Sequence, residues 1–173
     1  MTQRVELAAV MDRLAIDALI TEYAVTVDDG DWNAYRRLFA PGGRADYRSA
    51  GGIEGAATDV ATWMTETLRM FSMRQHLIVN RRLEFGTLDQ DIGDTARVRA
   101  DYVNPMAFVG EGTEGADVAD GADGADGAAK GTPAPDFVCG GRYSFGLLRT
   151  HSGWRLREVV VAEKWRRITQ HPG

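Results

Sequence analysis

His76 stands in the run RQHLIVN, an imidazole set against Leu77, Ile78 and Val79. Histidine is the side chain most often used as a general base, but a histidine in an apolar strand is as readily a hydrogen-bonded core residue. The sequence holds three histidines. His151 falls in the turn THSG and His171 in the tail, and neither stands at ligand spacing from His76, so no metal site is expected. Cys139 is the single cysteine, which excludes an intrachain disulfide and a thiolate cluster. Asp28 and Asp29 precede Gly30 at the predicted end of a helix. A carboxylate there opposes the helix macrodipole and calls for a further reason; Asp29 reads as the solvated one of the two. Tyr23 and Tyr47 offer phenolic donors, or simply half-buried rings with their hydroxyls in water.

The elements that must position these groups follow from periodicity. Leu7, Val10, Met11, Leu14 and Ala18, then Ile16, Leu19, Ile20, Tyr23 and Val27, recur at three- and four-residue spacing, predicting one helix over 6–29 that Gly30 stops. Asp31 reads as the cap of a second helix, WNAYRRLFA, with Trp32 in the core and Tyr35 at the surface or an interface. GRADYRSAGG reads as a strand and turn carrying Tyr47. Val60, Trp63, Met64, Leu68 and Phe71 mark a third helix. From Met73 the period changes to two. MRQHLIVNRRLEFG predicts one strand with a bend, ARVRADYVNPMAFV a half-buried strand, and FVCGGRYSFGLLRT with WRLREVVVAEKWRR a hairpin turning at HSG. Helices first and a run of strands after them predict an α+β fold.

Composition narrows the functional classes. Apolar residues make up 44% and charged residues 26%, as in an ordinary globular domain. No apolar run approaches the roughly 18–20 residues that span a bilayer, and MTQRVELAAV lacks the build of a secretory signal. With the lone cysteine, this predicts a cytoplasmic protein. The net charge of −5 is concentrated: residues 110–136 carry seven acids against Lys130, leaving the rest of the chain at +1. No basic face for nucleic acid is apparent. The 110–136 segment, rich in Gly, Ala and Asp, has almost no large apolar residue and reads as a flexible insertion in a single domain spanning 1–173. Its aspartates recur every three residues, but without the apolar anchors of a calcium-binding repeat.

The segment EYAVTVDDGDWNAYRRLFAPGGRADYRS, followed about thirty residues later by MRQHLIVN, resembles the SnoaL-like and scytalone dehydratase-like branch of the nuclear transport factor 2-like superfamily. The shared pattern is a tyrosine late in the first helix (Tyr23), an aspartate five residues on (Asp28), an aspartate–tryptophan pair (Asp31, Trp32), a strand tyrosine (Tyr47) and a strand histidine (His76). The resemblance implies a cone-shaped fold, with N-terminal helices packed on a strongly curved, mainly antiparallel sheet around a pocket. It also implies catalytic roles for Asp28, His76, Tyr23 and Tyr47. Asp28 would orient His76, His76 would remove a proton α to a carbonyl, and the two tyrosines would stabilise the enolate.

The sequence departs from that pattern in the groups that orient substrate. Val27 stands where the fungal dehydratase has a further tyrosine, and Asn104 or Pro105 where it has a second histidine. Gly141 and Tyr143 stand in its serine–asparagine region. Glu163, beside Lys164, falls near the late-strand arginine of the bile-acid dehydratases. Asn104, Tyr143 and Glu163 are therefore the expected substrate-binding replacements. The implied activity is a cofactor-independent dehydratase or isomerase acting on a hydrophobic polyketide- or steroid-like ring. The alternatives are a SnoaL-like cyclase, or a non-catalytic small-molecule binder or assembly subunit. The expected partners are a hydrophobic small molecule and further copies of the chain, as a dimer or trimer, with no nucleic acid and no membrane.

Overall fold

The structure, a computed structural model, describes residues 2–110 and 134–169. The expected flexible insertion (its residues 111–133) and His171 lie outside the described residues.

Helix α1 runs Thr2–Asp29 without an interrupting proline or glycine. Gly30 ends it with a φ of 69°, and its N–H returns to the Val27 carbonyl. Asp31 then caps α2 (Trp32–Arg37), its side chain accepting from the Ala34 N–H at 2.8 Å. Strands β1 (Phe39–Asp46) and β2 (Glu54–Ala56) flank a 3-10 turn at Arg48–Ala50, and α3 (Ala57–Thr67) follows. Then come β3 (Phe71–Arg74), β4 (Leu77–Phe85), β5 (Thr95–Phe108), β6 (Phe137–Thr150) and β7 (Gly153–Ile168).

The seven strands form one sheet in the order β2-β1-β7-β6-β5-β3, with β4 also on β5. The expected order of helices and then strands stands, but the cone does not, and two helices end early: α2 stops at Arg37 with Phe39 and Ala40 in β1, and α3 stops at Thr67 with Phe71 in β3. The sheet is mixed, because β1 joins β7 in parallel (Ala45 opposite Val159) while the other pairings are antiparallel. It is open, because β2 at one edge shares no ladder with β3 or β4 at the other, and it is not strongly curved.

Three local expectations are also corrected. MRQHLIVNRRLEFG is two strands, not one. The strand is interrupted at Gln75 and His76, although Arg74 opposite Met106 and Leu77 opposite Val103 keep β3 and β4 in one antiparallel register along β5. Of the α1 stripes, Ile16, Ile20, Tyr23 and Val27 pack on the sheet, whereas Leu7, Val10, Met11 and Leu14 lie on the solvent side, 50–61% exposed. Tyr35 is fully buried at 0% exposure: α2 turns it inward against Phe39 and Tyr23.

The start of α1 is tied to the far end of the sheet by a buried ionic network. Asp12 accepts from Trp154 Nε1 at 3.0 Å, Arg149 at 2.7 Å and Gln90 at 3.0 Å. Asp94 accepts from Arg149 Nε at 3.1 Å and from the backbone N–H groups of Asp89 and Asp91. This network anchors α1 at Asp12 to β6 and β7.

Candidate active site

The C-terminal end of α1 carries Asp28. Its carboxylate grips His76 twice: Oδ1 lies 2.5 Å from Nδ1, and Oδ2 accepts the His76 backbone N–H at 2.9 Å. The second bond is possible because this run lies at the sheet edge: the Gln75 N–H donates to the Pro105 carbonyl of β5, and the next N–H, that of His76, is left for Asp28. A carboxylate on Nδ1 fixes the proton there and leaves Nε2 as the lone-pair nitrogen of the neutral ring. The side chains are 9% exposed for His76 and 21% for Asp28.

Arg74, the last residue of β3, answers the question of a carboxylate at a helix C-terminus. Its guanidinium donates to the Asp28 carbonyl at 3.0 Å and to the Leu68 carbonyl at 2.9 Å. Positive charge is thus placed where the macrodipole is negative, and the end of α1 is pinned to the 3-10 turn Leu68–Met70 that borders the site.

His76 borders a cavity of about 270 Å³, near the lower end of small-molecule sites. Its walls are mostly apolar, with Val27, Trp63, Met64, Leu68, Met106 and Phe137 among them. Tyr23, Tyr47, Asn104, Tyr143 and Glu163 also border it, and Asp28 stands behind His76. The structure therefore gathers all seven residues singled out from the sequence around one cavity. Tyr47 does so from just after β1, not from within a strand.

The Tyr23 and Tyr47 hydroxyls are hydrogen-bonded to each other, and the Tyr35 hydroxyl lies 3.4 Å from that of Tyr47. The Tyr143 ring meets Tyr23 edge-on at 5.7 Å and Tyr102 at 4.6 Å. Burial pushes the hydroxyls of Tyr23, Tyr35, Tyr47, Tyr102 and Tyr143 well above the ordinary phenol range, so each keeps its proton. Burial likewise pushes the Cys139 thiol up to about 11, with Glu163 adding to the effect, so it is no thiolate nucleophile at neutral pH. Glu163 is engaged: Arg166 donates to its two oxygens at 2.7 and 3.0 Å and to the Ala50 carbonyl at 3.0 Å. Among the described residues, no group of three or more His, Cys, Asp or Glu is placed to hold a metal ion.

Sequence reasoning missed Tyr102, Tyr35, Arg74 and Arg166. Tyr102 was within reach, since it shares its strand face with Asn104 two residues on. The two arginines gave no signal, because each acts on a backbone carbonyl distant in sequence.

Comparison with known proteins places this α+β chain in a family. The SnoaL-like domain family matches residues 8–160, and the chain belongs to it. It falls in the SnoaL-like and scytalone dehydratase-like branch of the nuclear transport factor 2-like superfamily. An uncharacterized protein of Mycobacterium tuberculosis is 27% identical over 161 residues, covering 93% of this chain and 91% of the relative. Among solved structures, a Kribbella flavida protein superposes with a TM-score of 0.68 at 21% identity, covering 92% of this chain and 95% of that one. A hexachlorocyclohexane dehydrochlorinase from Novosphingobium barchaimii gives 0.68 at 13% identity, covering 97% and 99%. A candidate scytalone dehydratase from Novosphingobium aromaticivorans gives 0.68 at 14% identity, covering 100% and 95%. At these identities the structural likenesses speak for the fold. No helix among the described residues is long and apolar enough to cross a membrane.

Proposed function

We propose that this protein is a cofactor-independent lyase of the dehydratase type, acting on a hydrophobic ring ketone that bears a β-hydroxyl. The observation that carries the reading is the double hold of Asp28 on His76, which leaves Nε2 free to face an apolar cavity next to buried, neutral tyrosines. In this reading Nε2 takes the proton α to the carbonyl, and the Asp28 carboxylate stabilises the imidazolium that forms. The Tyr23–Tyr47 hydroxyl pair acts on the carbonyl oxygen as it gains enolate charge: one hydroxyl donates to that oxygen and the other donates to its partner. The enolate then re-forms the carbonyl and expels the β-hydroxyl, which takes the proton back from His76 and leaves as water. The products are an enone and one water, and His76 ends neutral. Asn104 and Tyr143 contact the ring. Glu163, held by Arg166, shapes the wall that the ring packs against. The dehydrochlorinase with a similar fold is at least named for an elimination from a ring.

Two other readings remain in the same fold. In a cyclase, the same base would serve an intramolecular aldol closure. In a binder, the cavity would hold a small molecule without reaction. Incubating the protein with cyclic β-hydroxyketones and following enone absorbance separates these from the lyase. His76→Ala is expected to abolish turnover while the thermal midpoint stays within a few degrees. Collapse of folding in His76→Ala, with no lyase activity in the parent, would return His76 to the core and sink the catalytic reading.

We also propose a homo-oligomer that packs through the outer sheet face. One row of that face crosses four strands as Leu77, Val103, Gly140 and Trp165, with the three side chains 36–47% exposed. Above it the face is charged, with Arg97 and Arg99 outward on β5. A light-scattering mass near one 18.9 kDa chain would contradict this assembly.

A further inference from the structure

Two buried polar atoms on β5 find no hydrogen-bond partner among the described residues: the Tyr102 hydroxyl and Asn104 Oδ1. Their residues are 2% and 4% exposed. Being two apart on a strand, they share a face, and both border the cavity. Buried polar groups in folded proteins are paired as a strong rule. Two exceptions on one wall of one cavity mark where a ligand's polar groups are matched.

The two atoms ask for different things. Asn104 Oδ1 can only accept. The Tyr102 hydroxyl keeps its proton in this buried setting and is free to donate. A ketone or ether oxygen would meet Tyr102 alone. An ammonium would meet Asn104 alone, and a halogen substituent is a poor partner for both. A hydroxyl accepts and donates, so it is the group that answers both.

We propose that Tyr102 and Asn104 form a hydroxyl-recognising subsite, which selects hydroxylated rings over the corresponding ethers and halides. This rests on the reading of the cavity as a ring pocket, but not on His76 acting as a base. Within that reading it narrows the substrate to a ring carrying a hydroxyl toward β5, on the wall beside His76, because the register that pairs Arg74 with Met106 and Leu77 with Val103 sets Asn104 next to His76.

Calorimetric titration at neutral pH with 2-naphthol and 2-methoxynaphthalene tests it without any turnover. Native protein should bind the naphthol about tenfold more tightly than its methyl ether. Tyr102→Phe and Asn104→Leu should each reduce that preference, and the double variant should remove it, with affinity for the naphthol falling further than affinity for the ether. His76→Ala should keep the preference, so failure of the base reading would leave this subsite standing. Equal affinities in the native protein overturn the proposal, as does the absence of binding by either probe at its solubility limit. A preference that survives in a folded double variant, or that vanishes in His76→Ala, overturns it as well. The native comparison suffices if a variant does not fold.

Discussion

Asp28 holds His76 at two points, the ring nitrogen Nδ1 at 2.5 Å and the backbone N–H at 2.9 Å. A single contact would leave the ring free to swing about its side-chain bonds. Two contacts, one to the main chain, set both the position of the residue at the cavity wall and the tautomer of the ring. Orientation of this kind removes a cost that a mobile base would meet in every turnover.

Asp28→Asn should therefore lower kcat by about 10²–10⁴ on any ring ketone the enzyme turns over, with KM little changed. Proton NMR offers a check that needs no substrate: the downfield Nδ1 proton signal of His76 in the native protein should disappear in Asp28→Asn. Persistence of that signal would mean that the carboxylate does not set the tautomer.

Arg74 ties the Asp28 carbonyl to the Leu68 carbonyl and so fixes the helix end from which the carboxylate projects. Arg74→Met should shift the His76 amide and ring resonances and lower kcat about tenfold or more, with Arg74→Lys recovering part of the loss. A fall in thermal midpoint with unchanged His76 resonances would assign Arg74 to stability alone.

All five tyrosines of the sequence lie in this buried cluster, and burial raises every hydroxyl above its ordinary value. Phenol in the unfolded chain ionises near pH 10. The stabilisation linked to keeping these groups protonated is full below that value and declines as pH rises above it. Ultraviolet titration should show no tyrosinate absorbance while the fold persists at about pH 11, and its appearance should coincide with loss of near-ultraviolet circular dichroism. A tyrosinate wave in the folded protein near pH 10 would contradict the burial.

The acid side is governed elsewhere. Burial would raise Asp12 and Asp94, but the hydrogen bonds they accept and the Arg149 charge outweigh it and hold both below the ordinary carboxylate value. Their contribution is present above the unfolded value of about 3.9. It is lost as pH falls through their lower folded values. Thermal midpoints should fall as pH drops below about 4, with a shallower fall in Asp12→Asn. Arg149→Met leaves two buried carboxylates without their cation and should cost about 3–5 kcal/mol in denaturant unfolding.

Much of this protein is written in local pattern. The apolar spacing of Ile16, Ile20, Tyr23 and Val27, the stop at Gly30 and the cap at Asp31 are short-range effects, and the elements they predict are present. The order of residue types from Tyr23 to His76 carries the family, and with it the expectation of a carboxylate beside an imidazole. Periodicity alone did not tell which α1 stripe is covered. Leu7 and Leu14 have the same spacing as Ile16 and Tyr23, and only the position of the sheet under the later turns decides between them.

What the tertiary structure alone decided depends on contacts between distant parts of the chain. The parallel union of β1 with β7 makes the sheet mixed, and it joins residues more than a hundred positions apart. The break at Gln75 and His76 interrupts a run that keeps one register on β5, and at that sheet edge the His76 N–H meets Asp28. Arg74 and Arg166 act through carbonyls that carry no sequence signature, and the unmatched Tyr102 and Asn104 atoms are defined only by what surrounds them. Side-chain type and local spacing fix which chemistry is available. Long-range packing fixes which groups touch, because burial and hydrogen bonding depend on neighbours that the local chain does not choose.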